Sequence, residues 1–348
     1  MKKLVSLLLA VLMLLTVVVA ASAEETTFEL TLSKDPSEYK ILVYWPAPDT
    51  YFEDNIQPGY QAIEEMYGIT VDYEIGTEWT QDVENQIVEA KMAEGYDLFM
   101  VYGADTSGAN ALYQEMIDFG CVVVNYGGVM NDPQVAPVTV CGDVYDYSYA
   151  ATVEMIEAMG GEGQIINVLE NLGDVNTLER QRGVEAAVAE YENVTICQTI
   201  GDINTQDEGY EKVADALAAN PDATGIIATG GTASRGLANA LADYYASNPD
   251  ANHLYAVATD PSVEVINGIN DGTIDLGIAQ NGFGQGYIGM LCLLHLAEGW
   301  TVNEHGVHIV TGYVFITKDN VETYSADIEA LSEQIAADLE TVYLSKPE

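Results

Sequence analysis

The sequence predicts an α/β protein built from two doubly wound parallel-sheet domains. Short apolar runs alternate with amphipathic segments of helical length, which is the pattern of βαβ units and a parallel sheet. Two such series follow one another along the chain. The length of 348 residues and a hydrophobic content of 48% suit about two domains with sizeable cores. In sheets of this kind, ligands bind beyond the carboxyl ends of the strands.

The first series of apolar runs predicts one set of strands joined by helices. These strands are expected near residues 40–45, 69–75, 97–102, 121–126 and 138–141. One helix is expected over 52–67, where Pro58 and Gly59 interrupt the pattern, so this helix is either kinked or starts later.

The second series predicts a similar sheet. Its strands are expected near residues 164–170, 194–200, 223–229, 254–258 and 275–279. Asn220-Pro221 and Asn248-Pro249 precede two of these strands and predict helix ends, because the residue before proline disfavours the α region.

The N-terminus has the features of a secretory signal peptide over residues 1–23. Lys2 and Lys3 precede an apolar run over 4–20, and Ala21-Ser22-Ala23 supplies small residues for cleavage before Glu24. A retained membrane anchor is the alternative interpretation. No cysteine lies near this site to carry a lipid, so we expect an exported protein, periplasmic or at the cell surface, that is soluble after cleavage. Residues 24–38 form a polar leader.

Composition excludes several classes of function. The formal net charge of −44 leaves too few cations to neutralise the phosphates of nucleic acid. No Walker, G-x-S-x-G or H-E-x-x-H motif appears, so we expect no enzyme, metal or cofactor. The cysteines match no metal-ligand spacing and are expected to be free thiols. These are Cys121, Cys141, Cys197 and Cys292.

Several motifs occur in the order typical of one known family. They are Ile41-Leu42-Val43 with Asp49-Thr50-Tyr51-Phe52, Gly161 to Ile166 with Arg180-Gln181-Arg182-Gly183, Ala258-Thr259-Asp260, Ile278-Ala279-Gln280, and Ile316 to Val321. Over residues 39–325 the chain resembles the ribose- and galactose-binding branch of the type I periplasmic solute-binding proteins, which serve sugar ABC transporters.

The resemblance implies two lobes joined by a hinge that the chain crosses three times, near 142–143, 280–281 and 308–312. The N-terminal lobe would comprise 39–142 and 281–308. The C-terminal lobe would comprise 143–280 and 309–348. It also implies a monomer that closes over a small polar ligand, a sugar by family analogy, and delivers it to the permease subunits of an ABC importer.

Three polar residues are candidates for binding ligand hydroxyls. Asp260 follows a predicted strand, and the resemblance implies that it accepts hydrogen bonds from the ligand; a helix N-cap is its alternative role. Gln280 ends another strand beside a predicted crossing, where its amide could instead bond the hinge. Asp49 lies in the loop after the first strand and could bind two hydroxyls or simply face solvent.

Aromatic residues and one cation complete the predicted site. Trp45, Tyr51 and Phe52 are candidates for stacking on the apolar face of a sugar, with one ring of the Tyr51-Phe52 pair expected to face the cleft and the other the core. Arg180 resembles a family residue that donates to the ligand, and a structural salt bridge is the alternative.

Two departures from the family pattern leave the ligand open. Gly230-Gly231 stands where the family usually has Asn-Asp, and Asn125-Tyr126 stands where it has Asp-Arg, so Tyr126 is a further candidate. Nucleosides, polyols, autoinducer-like furanosyl compounds and amines remain alternatives to ribose or galactose. A sensory receptor that presents its ligand to a membrane kinase or chemoreceptor is the alternative function.

Overall fold

The computed structural model describes residues 28–48 and 51–347. The predicted signal peptide, the first residues of the leader and Asp49 lie outside the described residues. Among the helices of this described part, none combines the length and the apolar character that crossing a membrane requires.

The first sheet has six strands that all run parallel. In chain order they are β1 (Ile41–Trp45), β2 (Val71–Ile75), β3 (Leu98–Val101), β4 (Val122–Gly127), β5 (Val138–Cys141) and, much later, β12 (Val307–Val310). Their spatial order is β12-β5-β4-β3-β1-β2. Every residue of β1 and β3 is buried, as expected of a parallel sheet that is covered by helices on both faces.

The second sheet also has six strands. They are β6 (Gly163–Val168), β7 (Val194–Ile200), β8 (Gly225–Ala228), β9 (Tyr255–Thr259), β10 (Leu276–Gln280) and β13 (Tyr313–Ile316), in the spatial order β13-β10-β9-β8-β6-β7. Five strands are parallel, and β13 runs antiparallel to β10 at one edge. The predicted α/β architecture with two doubly wound sheets is confirmed.

Helices connect these strands. They are α1 (Gln57–Tyr67), α2 (Gln81–Ala93), α3 (Gly108–Phe119), α4 (Val144–Ala158), α5 (Val175–Val188), α6 (Gln206–Ala219), α7 (Gly231–Ser247), α8 (Val263–Asp271), α9 (Gly282–Ala297) and α10 (Tyr324–Ala336). Single wider π-type turns cover Phe52–Ile56 and Leu339–Tyr343, a short 3-10 turn covers Pro36–Glu38, and β11 (Thr301–Val302) pairs with β14 (Leu344–Ser345).

The interrupted first helix has a packing explanation. The π-type turn runs directly into α1, so the α-helix starts later than predicted and Pro58 falls in its first turn, where its missing N–H costs nothing. A Cβ at Gly59 would lie 2.0 Å from the carbonyl oxygen of Phe283. Glycine therefore allows α1 to pack closely against α9.

Three passages of the chain between the two sheets are linked by hydrogen bonds around one buried side chain, that of Asn281. Asn281 Nδ2 donates to the carbonyl oxygen of Thr311 at 2.7 Å, and its Oδ1 accepts from Gly284 N at 2.6 Å and from Ser332 Oγ at 3.0 Å. Thr311 N donates to the carbonyl oxygen of Cys141 at 2.9 Å. One residue from each crossing thus belongs to a single hydrogen-bonded cluster.

The C-terminal segment packs on the first sheet. Leu339 and Leu344 belong to the apolar cluster around β1 and α9. The carboxylate of Glu340 accepts from Glu29 N and Leu30 N and lies 2.9 Å from Nε2 of the buried His295. The predicted division into lobes stays a prediction. The packing of Leu339 and Leu344 on the first sheet argues for assigning about the last ten residues to the N-terminal lobe instead of the C-terminal one.

Candidate ligand-binding site

A cavity of about 440 Å³ lies where the carboxyl ends of the two sheets face each other. Residues after β1 and β3 form one wall, and residues after β6, β9 and β10 form the other. This is the position and the size expected of a small-molecule site in doubly wound domains.

The wall from the first sheet is aromatic. Trp45 ends β1, and the ring of Tyr51 stacks on it with centroids 6.1 Å apart and planes 25° from parallel. Tyr102, directly after β3, meets the Trp45 indole edge-on at 4.9 Å. All three side chains line the cavity. They offer flat apolar surface with hydroxyl groups at its margin.

Two of the predicted aromatic contacts lie behind this wall. Phe52 and Tyr126 are fully buried, with centroids 5.8 and 6.3 Å from that of Trp45, and neither lines the cavity. The Tyr126 hydroxyl donates to the carbonyl oxygen of Tyr44 at 2.9 Å. Phe52 is thus the core-facing ring that was expected of the Tyr51-Phe52 pair. Its candidacy for direct ligand contact and that of Tyr126 are corrected, because both rings support Trp45 from the core.

The opposite wall carries a carboxylate in an unusual backbone conformation. Asp260 follows β9 with a φ of +63°, in the left-handed region that most residues avoid. Its Oδ1 accepts from Gln280 Nε2 at 2.9 Å, and both side chains line the cavity. Burial raises the pKa of Asp260 to about 6, while Gln280 and Arg180 act in the opposite direction. Such strain and desolvation are typical of functional sites.

Arg180 is held at the cavity by neighbours from its own domain. Its Nε donates to the Tyr147 hydroxyl at 2.6 Å, and its Nη1 lies 3.9 Å from Glu170 Oε2. Burial alone would lower the pKa of Arg180, but Tyr147, Glu170 and Asp260 hold it above its ordinary value. The guanidinium therefore stays charged and combines a structural ion pair with a position on the cavity wall, and its donation to a ligand stays a prediction.

The Gly230-Gly231 departure makes room for two carboxylates. A Cβ at Gly230 would lie 2.2 Å from Cδ of Glu170, and one at Gly231 would lie 2.7 Å from Asp260 Oδ2. Glu170 Oε1 accepts from the backbone N–H of Thr232 at 2.6 Å, at the N-terminus of α7. A helix N-terminus favours a negative charge, so this arrangement stabilises Glu170 at the cavity wall.

Sequence reasoning missed several lining residues. Tyr102 and Glu170 stand just beyond strands β3 and β6, so the rule that selected Asp260 and Gln280 would also have found them. Asn176, whose Nδ2 donates across the cavity to the Tyr102 hydroxyl at 3.4 Å, carries no comparable signal. Arg235, at the start of the second turn of α7, also lines the cavity. Its only sequence signal is rarity, since the chain has three arginines.

Within the described ranges, the structure has no group of three or more His, Cys, Asp or Glu side chains placed to hold a metal ion. The four cysteine sulfurs are unpaired, and burial raises the pKa of the Cys141 thiol to about 12. The free-thiol expectation stays a prediction for solution measurement.

Comparison with known proteins gives one family and many related folds. The family model described as "Periplasmic binding protein domain" matches residues 41–300. A curated relative, the D-apiose import binding protein of Actinobacillus succinogenes, is 26% identical over 112 residues. That match spans 32% of this chain and 36% of the relative's length.

Solved structures match over most of the chain. A solute-binding protein of an ABC transporter from Burkholderia graminis, in complex with D-arabinose, is 20% identical and superposes with a TM-score of 0.75, covering 84% of this chain and 99% of its own. One from Actinobacillus succinogenes with bound D-allose is 18% identical, with a TM-score of 0.72, covering 82% and 100%. At these identities the likeness establishes the fold.

Proposed function

The chain belongs to the periplasmic binding protein domain family, and from that premise we propose that it captures a sugar in the cavity between its two sheets for an ABC importer. The observation that carries the proposal is the pairing of an aromatic wall with a wall of carboxylate, amide and guanidinium groups. A sugar needs both, because its C–H faces pack on aromatic rings while its hydroxyls each donate and accept hydrogen bonds. The sugars named for similar proteins agree with this proposal.

Each wall would have a distinct part in binding. The Trp45 and Tyr51 rings would pack against the sugar face, Asp260 would accept from its hydroxyls, and Gln280 and Arg180 would donate to its oxygens. None of these groups forms a nucleophile–base pair, and we propose that the ligand leaves chemically unchanged. Its binding energy would come from a desolvated cavity in which every ligand hydroxyl finds a partner.

Delivery to a transporter requires that the two domains open and close. The three crossings joined at Asn281 would serve as the hinge, because few backbone torsions there need to change. We further propose that the protein acts outside the cytoplasm as a monomer, after cleavage of residues 1–23, and that its partners are the permease subunits of the importer.

A thermal-shift screen tests the ligand class. The mature protein is heated with single sugars, nucleosides and amines. A ligand that binds only the folded state at a hundred times its Kd stabilises by about 2.7 kcal/mol, so the Tm rises. We expect a sugar to give the largest rise. A larger rise with a nucleoside or an amine, and none with any sugar, would contradict the proposed ligand class.

Uptake of the labelled sugar tests the transport role. We expect cells that lack this gene to lose high-affinity uptake and to recover it on complementation. Normal uptake in the deletion strain, with protein that still binds the sugar in solution, would contradict the role in import.

A further inference from the structure

Two of the three arginines in a chain with 55 acidic residues line the same cavity. The third, Arg182, is exposed and paired on the surface with Glu179 at 2.6 Å. Cations are scarce in this protein, so the concentration of guanidinium groups at one cavity needs a physical reason. Arg180 has structural partners in Tyr147 and Glu170, and the question is what Arg235 does.

Arg235 is poorly satisfied by the part of the protein that the structure describes. Its Nη2 lies 3.4 Å from Thr232 Oγ1, a long hydrogen bond, and its buried Nε has no hydrogen-bond partner there. Leaving buried donors of a charged group unpaired costs free energy, and native structures rarely do so without a function. The N-terminal amides of α7 are already bound by Glu170, so Arg235 is not needed to satisfy that carboxylate.

The surroundings of Arg235 define what it can bind. Gly231 and Thr232 lie one turn before it, and Asp260 lies over Gly231, so the guanidinium and this carboxylate share one side of the cavity. Arg235 also acts electrostatically on Asp260, whose pKa it lowers against the larger effect of burial. A cation and an anion on the same side of a cavity match a vicinal diol, in which one hydroxyl accepts and its neighbour donates.

We propose that Arg235 is a ligand-binding residue that, together with Asp260, selects an uncharged sugar through two neighbouring hydroxyls. The inference rests on the proposed function and deepens it. Both guanidinium groups lie among carboxylates: Glu170 pairs with Arg180, Asp260 acts on both arginines, and Asp54 also lines the cavity. A sugar acid would bring a further negative charge to these carboxylates, and an amino sugar would bring a further positive charge to the two guanidinium groups. A neutral diol satisfies both groups without adding charge to the cavity.

Calorimetric titration of the mature protein tests the role of Arg235. The variants are Arg235→Gln and Arg235→Lys, and the control is Arg182→Gln, which removes the exposed arginine. We expect Arg235→Gln to bind the neutral sugar at least about tenfold more weakly, Arg235→Lys to be intermediate, and the control to stay within about twofold. Unchanged affinity in Arg235→Gln, with its circular dichroism spectrum and Tm intact, would overturn the proposal.

The same instrument tests the preference for an uncharged ligand. The probes are D-arabinose, D-allose and D-galactose as neutral sugars, with D-galacturonate and D-glucosamine as charged ones. We expect every charged probe to bind more weakly than the best neutral one, and a charged probe that binds most tightly would overturn the inference. If the wild-type protein binds none of the five probes, the proposed sugar function fails together with this inference. If the wild-type protein binds a sugar and Arg235→Gln binds it with the same affinity, only the inference fails.

Discussion

Replacing Asp260 with asparagine should stabilise the ligand-free protein while weakening ligand binding. Asparagine keeps the shape of the side chain and tolerates the left-handed backbone at φ +63°, which alanine would strain. Its Oδ1 can still accept from Gln280 Nε2. The substitution therefore removes little more than the negative charge, and both effects can be assigned to the carboxylate.

The size of the stability effect follows from the pKa of Asp260. Burial raises it from 3.8 to about 6, so the folded state disfavours the ionised form. The difference corresponds to about 3 kcal/mol of unfolding free energy that wild type loses above pH 6. Because the folded pKa is the higher one, this loss shrinks as pH falls through 6 and disappears near pH 4. Asp260→Asn should therefore be the more stable protein at pH 7.5, with the advantage gone at about pH 4.

The binding effect has the opposite sign. A charge-assisted hydrogen bond from a ligand hydroxyl to a carboxylate contributes about 1.5–3 kcal/mol, so the variant should bind about 10- to 100-fold more weakly. Urea unfolding at the two pH values measures the stability effect, and calorimetry measures the affinity. Asp202→Asn is the matched control, because Asp202 is also left-handed, at φ +54°, but exposed outside the cavity. A destabilised Asp260→Asn protein with normal affinity would refute the reasoning and make the carboxylate a structural acceptor for Gln280, since Ser262 caps the following helix.

Three further outcomes can be checked on the same protein. Glu340→Ala should lower the free energy of unfolding by about 2–4 kcal/mol, because the buried His295 and the backbone amides of Glu29 and Leu30 lose their acceptor. Urea titration measures this effect, and an unchanged unfolding midpoint would contradict it. Mass spectrometry of secreted protein should find an N-terminus at Glu24, and an intact Met1 in the mature pool would contradict cleavage. Thiol titration in denaturant should find that Cys121, Cys141, Cys197 and Cys292 are mostly free, and fewer than two reactive groups would contradict this expectation.

The sequence predicted the repeating part of the fold well because each strand there is a buried apolar run. All ten predicted strands occur within two residues of their expected bounds. Strands β12 and β13 escaped because neither is a continuous buried apolar run. In β12, His308 and Val310 are exposed, and β13 is an antiparallel edge strand in which only Ile316 is fully buried. Their pairing partners lie more than 30 residues away in the chain, which no local pattern reveals.

The site was predictable where a side chain directly ends a strand. Trp45, Asp260 and Gln280 reach the cavity in this way. The prediction for Tyr126 was wrong because alternation along β4 turns its ring into the core, and Gly127 lines the cavity instead. Arg235 was missed because it reaches the cavity from a helix face, and only the packing of α7 against the second sheet determines which residue of that helix does so.

A crystal structure with the sugar that raises the Tm most is the most direct test of the account. It should show the sugar in the cavity between the two sheets, with one ring face against Trp45. Neighbouring hydroxyls should lie within about 3 Å of Asp260 and Arg235, the ordinary hydrogen-bond distance. A sugar bound elsewhere on the protein, or one in the cavity that contacts neither wall in this way, would contradict the central claim that this cavity is a sugar site.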